Sequence, residues 1–213
     1  MGQHGKHRTL VMGLRRLAFV LAALAAPPAL ADPLAEAAAD QVGVTVIYDP
    51  SYVGLEFPGG DVPPDRGVCT DVVIRALRDA HGIDLQLAVN RDMKADFAAY
   101  PAIWGLTTTD RNIDHRRVPN LETLLHRIGA AEGPSDDPDD FAPGDIVSWR
   151  LAGSGVPHIG IVAEGRSADG ARPLVTHNIG WGTRTEDILF AHDMVLRARL
   201  DAAARLRLRA LTQ

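Results

Sequence analysis

The stretch Gly67-Val68-Cys69-Thr70-Asp71-Val72-Val73-Ile74-Arg75-Ala76-Leu77 holds the single cysteine of a 213-residue chain. It follows a turn-rich segment, Pro58-Gly59-Gly60-Asp61-Val62-Pro63-Pro64-Asp65-Arg66. Steps of three and four from Cys69 reach Val72, Val73, Ala76, Leu77 and Ala80, and Gly82 stands where a C-cap belongs. This pattern is a loop running into an amphipathic helix, with a thiol at the joint. A helix N-terminus carries roughly half a positive charge and unsatisfied N–H groups, so the position is expected to lower the cysteine pKa and to suit a nucleophile. The competing use of a lone cysteine is as a small buried hydrophobe.

Upstream, Lys6, Arg8, Arg15 and Arg16 precede the apolar run Leu17 to Ala26, and Ala29-Leu30-Ala31 precedes Asp32. A basic, then apolar, then small-x-small order predicts a cleavable export signal over residues 1–31, with a single domain over 32–213. The apolar run is about half the length of a spanning helix, which makes a retained anchor the weaker alternative. The mature protein is expected in the periplasm or outside the cell, with no integral membrane segment. Losing four basic and no acidic residues takes the formal charge from −5 to −9. A nucleic-acid partner is therefore not expected, because such binding depends on basic side chains that displace counterions. An unpaired cysteine in an oxidising compartment has to be buried or used.

Downstream, a short helix is expected over Pro33 to Gln41, a β-prone run over Val44 to Tyr48, helix over Ile83 to Tyr100, and a helix from Leu121 to Ile128 capped by Asn120. After the acidic connection Glu132 to Asp140 the character changes. Strands are expected at Ile146 to Leu151, Pro157 to Ala163, Pro173 to Ile179 and Asp193 to Leu200, followed by a terminal helix from Ala202. Helices first and a strand meander afterwards indicate an α+β fold with the Cys69 helix on one face of an antiparallel sheet. Period-two alternation sends His158, Gly160 and Val162 to one side of their strand, and Val175 and His177 to one side of the next. If the hairpin register brings those sides together, two imidazoles converge beside the thiol.

Those residue types suit acyl transfer. A thiol needs a base, imidazole titrates near neutral pH, and a third group, His177 or Asn178 on the adjacent strand, must orient the base. Cys69, His158 and His177 are the catalytic candidates, with backbone N–H groups at the helix start available to an oxyanion. No cofactor is expected. A zinc site drawn from His158, His177, His115 and Cys69 competes, but no paired-ligand spacing supports it. Substrate-binding candidates are Arg66, His115, Arg116, Arg117 and Asn178, with Asp61 and Asp71 placed either there or in orienting loops.

Long runs carry a resemblance: Tyr48-Asp49-Pro50-Ser51-Tyr52, Pro58 to Pro63, Gly67 to Ala76, Asp110 to Leu121, Pro143-Gly144-Asp145-Ile146-Val147, Pro157 to Val162 and His177-Asn178-Ile179-Gly180. In these the chain resembles the DUF1287 family of exported bacterial proteins, over nearly all of its mature length. More remotely, the order of cysteine helix, Pro-Gly-Asp strand, His-Ile-Gly-Ile-Val strand and following histidine is similar to the NlpC/P60 cysteine peptidases. That resemblance implies a papain-like fold, the triad Cys69, His158 and His177, and peptidoglycan stem peptides as substrate. It departs at Val68, where the superfamily commonly has Asp, which bears on peptide-bond specificity. An acyltransferase with the same triad and a non-catalytic cell-wall binding module are the alternatives.

Overall fold

The structure is a computed structural model that describes residues 1–2 and 31–213. The expected export signal lies outside the described residues except at its two ends. Helix α1, Pro33–Ala39, begins where the Asp32 carboxylate accepts the N–H groups of Leu34 and Ala35 and Pro33 supplies a ready-made φ. Strands β1, Ile47–Tyr48, and β2, Arg66–Gly67, pair in parallel just before the cysteine. Of the expected β-prone run only its last two residues form a strand. Helix α2, Cys69–His81, starts with Val68 extended and its N–H held by the Asp71 carboxylate at 2.6 Å. It stops at Gly82, whose φ of 65° is left-handed backbone that a glycine adopts without a Cβ clash.

The next helices correct two boundaries. Helix α3 spans only Leu85–Ala95, and a 3-10 turn, Phe97–Ala99, replaces the expected continuation to Tyr100. Helix α4 spans Val118–Arg127, so Asn120 is an interior residue and not its cap. Pro119 sits in the first turn, where its missing N–H costs nothing. The Asn120 amide instead donates to the Asp114 carbonyl at 3.0 Å, bracing the 3-10 turn Asp114–Arg116 that precedes the helix.

The remaining elements are β3 (Ala131–Glu132), β4 (Ile146–Arg150), β5 (Pro157–Arg166), β6 (Pro173–Asn178), β7 (Thr183–Glu186), β8 (Asp193–Ala198) and helix α5 (Ala202–Ala210). Six of the strands form one sheet in the order β3-β8-β4-β5-β6-β7, with each neighbouring pair antiparallel. The fold is mixed helix and antiparallel sheet, as expected, with β2, β3 and β7 additional strands. Alternation along the strands separates two cores. Ile146, Ile159, Ile161, Leu196 and Ala198 face the helices and share a core with Cys69, Val72, Val73 and Leu77. Val147, Trp149, Val162 and Val175 face the other way, beneath Leu189 and Phe141. Each such aliphatic side chain, removed from water, contributes about 1.5–3 kcal/mol. The two-sided burial of β4, β5 and β6 therefore pins their register: a slip of one residue would exchange the two cores.

Candidate active site

Cys69 is the first residue of α2 and only 7% exposed. It forms part of the wall of a cleft of about 340 Å³, which Tyr48, Val68, Trp104, Arg117 and Pro157 also line. Its hydrogen-bonding neighbours are backbone N–H groups, those of Ile159, Thr70 and Cys69 itself. Burial nevertheless pushes the thiol up to about 12, with the Asp71 charge adding to the shift and the N–H groups opposing it. The direction is opposite to that expected from the helix terminus alone. Taking sulfur out of water disfavours the thiolate more than the terminal amides favour it.

Strands β5 and β6 are in register at Ile161 with Thr176 and Val162 with Val175. Continuing towards Pro157, the two histidines converge as alternation predicts: His158 Nε2 and His177 Nδ1 are 2.9 Å apart, with ring centroids at 5.1 Å and planes at 86°. Gly160 makes this possible. A Cβ there would lie 2.8 Å from Val175 Cγ1, 3.0 Å from the Thr176 carbonyl and 3.1 Å from His177 Cβ. Any side chain at 160 would displace the strand or the ring. Trp149, the partner of His158 across β4, stacks on the outer side of its ring at 5.9 Å and 26°. The two imidazoles thus lie on the sheet face turned away from α2, whereas the tip of α2 brings the thiol to the Ile159 N–H at the start of the same strand.

Both rings are buried, and both are neutral at ordinary pH. Burial, with the His177 and His192 charges, pushes His158 down to about 3. Burial lowers His177 as well, against the pull of Glu186. Glu186, on β7, accepts from the other ring nitrogen: His177 Nε2 lies 3.1 Å from its Oε2. Neither Glu186 nor Gly160 stood among the sequence candidates. Gly160 was legible as a small residue between the two inward positions His158 and Val162, but the polar run Thr183–Glu186 has no alternation to mark it as a strand.

The other candidates fall mainly outside the cleft or are engaged within the protein. Asp71 and Arg116 form a buried ion pair, with Nε to Oδ1 at 3.0 Å and Nη2 to Oδ2 at 2.9 Å and both side chains 2% exposed. Arg116 also donates from Nη1 to the Ser51 carbonyl and from Nη2 to the Asp49 carbonyl, so this cleft-lining arginine has four of its five N–H groups engaged by the protein. Asp61 is held by Arg75 and Arg78, each at 3.0 Å. Arg66 pairs with Asp49 and Asp65 and does not line the cleft. His115 is 2% exposed, its Nδ1 has no partner, and burial followed by the Arg116 charge pushes it down to about 3. Asn178 donates to the Gly67 carbonyl at 3.1 Å, which ties the end of β6 to the loop entering Cys69. These side chains build the frame of the site. Arg117 is different: it lines the cleft, its guanidinium lies 4.1 Å from the Trp104 ring centroid, and it pairs with Asp114 at 3.0 Å. Among the described residues, no group of three His, Cys, Asp or Glu side chains is placed to hold a metal ion, so the four-ligand zinc grouping is not assembled. No helix among them is long and apolar enough to cross a membrane.

Comparison with known proteins places these features in a lineage. The profile of a domain of unknown function, DUF1287, matches residues 35–200, which include Cys69, His158, His177 and Glu186. The chain is 54% identical over 162 residues to the uncharacterized protein YijF of Escherichia coli (strain K12), covering 76% of this chain and 78% of that protein. A lone cysteine opening a helix, two bonded histidines on adjacent strands and a buried Asp–Arg pair in the first turn of the cysteine helix are accordingly features of a member of the DUF1287 family, to which this chain belongs.

Proposed function

We propose that this protein is an exported cysteine hydrolase of papain-like, NlpC/P60-like build that cleaves an amide bond in peptidoglycan peptides. The observation that carries the reading is the 2.9 Å bond between His158 and His177 at the strand end where the thiol of Cys69 lies, beside an open cleft. An imidazole oriented by a second ring and a thiol at a helix N-terminus, brought to the same end of one strand, are the parts that thiol acyl transfer requires.

At rest the thiol and imidazole are both neutral, given their shifts in opposite directions. Proton transfer therefore accompanies attack. His158 takes the thiol proton on Nδ1, the nitrogen that its bond to His177 leaves open, as sulfur bonds to the substrate carbonyl carbon. The tetrahedral oxyanion is met by backbone N–H groups at the start of α2 and by the hydroxyl of Tyr48. Tyr48 lines the same cleft, and partial burial, with the nearby Cys69 thiol when ionised and the Asp71 charge adding, raises its pKa so that it stays a proton donor. The C–N bond then breaks, and His158 returns the proton to the leaving amine. Water, deprotonated by His158, hydrolyses the thioester and releases the acid and the free thiol. A carboxylate on the substrate would meet Arg117, the more exposed of the two arginines that line the cleft.

The test is hydrolysis of purified muropeptides by the mature protein and by Cys69→Ser. New amine and acid termini, formed by the native protein and not by the variant, are expected. Retention of full hydrolysis by Cys69→Ser would rule out the thiol mechanism, and muropeptide binding without hydrolysis by either protein would make this a binding module.

A further inference from the structure

We propose that Glu186 is a positioning residue: by accepting a proton bond from His177 Nε2, it holds both histidines in the tautomers that leave His158 Nδ1 as the proton acceptor for Cys69. The inference rests on the reading of His158 as the base. Its argument is one of donors and acceptors. A carboxylate only accepts, so at 3.1 Å the proton of that contact is on His177 Nε2. A neutral His177 then has a bare Nδ1, so in the 2.9 Å contact between the rings His158 Nε2 must donate. Neutral His158 in turn has a bare Nδ1. One acceptor at the end of the chain thus sets the proton on every nitrogen in it. Without Glu186, His177 can carry its proton on Nδ1 and donate to His158 Nε2, which moves the His158 proton to Nδ1 and removes the base.

The surroundings agree with this role. Both rings are almost fully buried, so no water competes to set their tautomers, while Glu186 is 39% exposed and can be replaced without opening the core. The charged and titratable groups facing the chain are few. Arg184, on the same strand, stands 4.0 Å from the second carboxylate oxygen, and His192 acts on both rings from the segment before β8. When His158 becomes an imidazolium during the reaction, Glu186 supplies the compensating negative charge two bonds away.

The experiment uses the mature protein, Glu186→Ala and Glu186→Gln, with two readouts that need no substrate. Long-range proton–nitrogen NMR of the histidine rings is expected to show Nε2 protonated and Nδ1 bare on both rings in the native protein, and a changed tautomer of His177 and His158 in Glu186→Ala. Alkylation of Cys69 by iodoacetamide at neutral pH is expected to fall about tenfold, equivalent to one unit in the apparent pKa. Glu186→Gln, which keeps an acceptor and loses the charge, should fall less. Unchanged ring tautomers and an unchanged alkylation pH profile in Glu186→Ala would overturn the proposal. The two readings fail separately: tautomers that depend on Glu186 in a protein that cleaves no amide would sink the hydrolase and leave the relay, whereas hydrolysis with tautomers indifferent to Glu186 would do the reverse.

Discussion

Two polar networks flank the cysteine, and they are built to opposite specifications. Below α2, Asp71 and Arg116 bind one another in two parallel bonds, Asp71 also takes the Val68 N–H, and Arg116 donates to two carbonyls as well. Four of the five Arg116 N–H groups are engaged, and both side chains are 2% exposed. Across the sheet, the chain from His158 through His177 to Glu186 is also buried at its centre, but it has one uncommitted nitrogen at one end and a solvent-touching carboxylate at the other. A buried pair of fixed opposite charges holds a shape. A network with a spare lone pair can take up a proton and release it.

The contrast is sharpest in variants that remove one member of each. On the proposed mechanism, His158→Ala should lower hydrolysis by about 10³–10⁴-fold in kcat while the protein still unfolds cooperatively, because it removes the proposed base. Arg116→Ala should act the other way, costing about 3–5 kcal/mol in denaturant unfolding by stranding the Asp71 carboxylate in the core. A variant at Arg116 that kept native stability and lost only turnover would break the distinction, and it would return this arginine to the substrate-binding role its sequence suggested.

Acid should test the histidines as a group. His115 and His158 are pushed down to about 3 and His177 is lowered too, so the unfolded chain binds their protons first. Their contribution is fully present above the unfolded value of about 6.5 and is lost as pH falls towards 3, at about 1.4 kcal/mol per pH unit for each ring. The unfolding midpoint measured between pH 7 and pH 4 should fall accordingly. His115→Gln should flatten that fall without altering the pH dependence of thiol alkylation, since His115 does not belong to the chain of rings. The smallest effect expected is at Asn178→Ala, about 1 kcal/mol for a single amide-to-carbonyl bond. It should show as faster amide exchange in the loop entering Cys69, and unchanged exchange there would remove Asn178 from the frame of the site.

Legibility followed the kind of signal each feature leaves. The start and glycine stop of α2, the strands β4, β5, β6 and β8, and the convergence of His158 with His177 were readable because hydrophobic periods of 3.6 and 2 reflect burial directly. Helix α4 began earlier than its sequence indicated, because Val118-Pro119 reads as an interruption until proline is seen to occupy the first turn. Strand β7 was missed because Thr183-Arg184-Thr185-Glu186 lies at the sheet edge, where no apolar alternation is demanded, and Glu186 was missed with it. The pairing of Arg116 was not readable because its partner is 45 residues away and nothing local announces the pair.

The sequence alone therefore determined the fold class, the joint of loop and helix that carries the thiol, and the face on which both histidines lie. All of these depend on local conformational preference and on which residues avoid water, properties each segment carries by itself. Tertiary structure decided which charges are framework and which remain available, that burial keeps Cys69 protonated at a position whose local field favours the thiolate, and that Glu186 closes the histidine chain. Those outcomes depend on desolvation and on donor–acceptor distances between distant segments, and such distances exist only once the chain has packed.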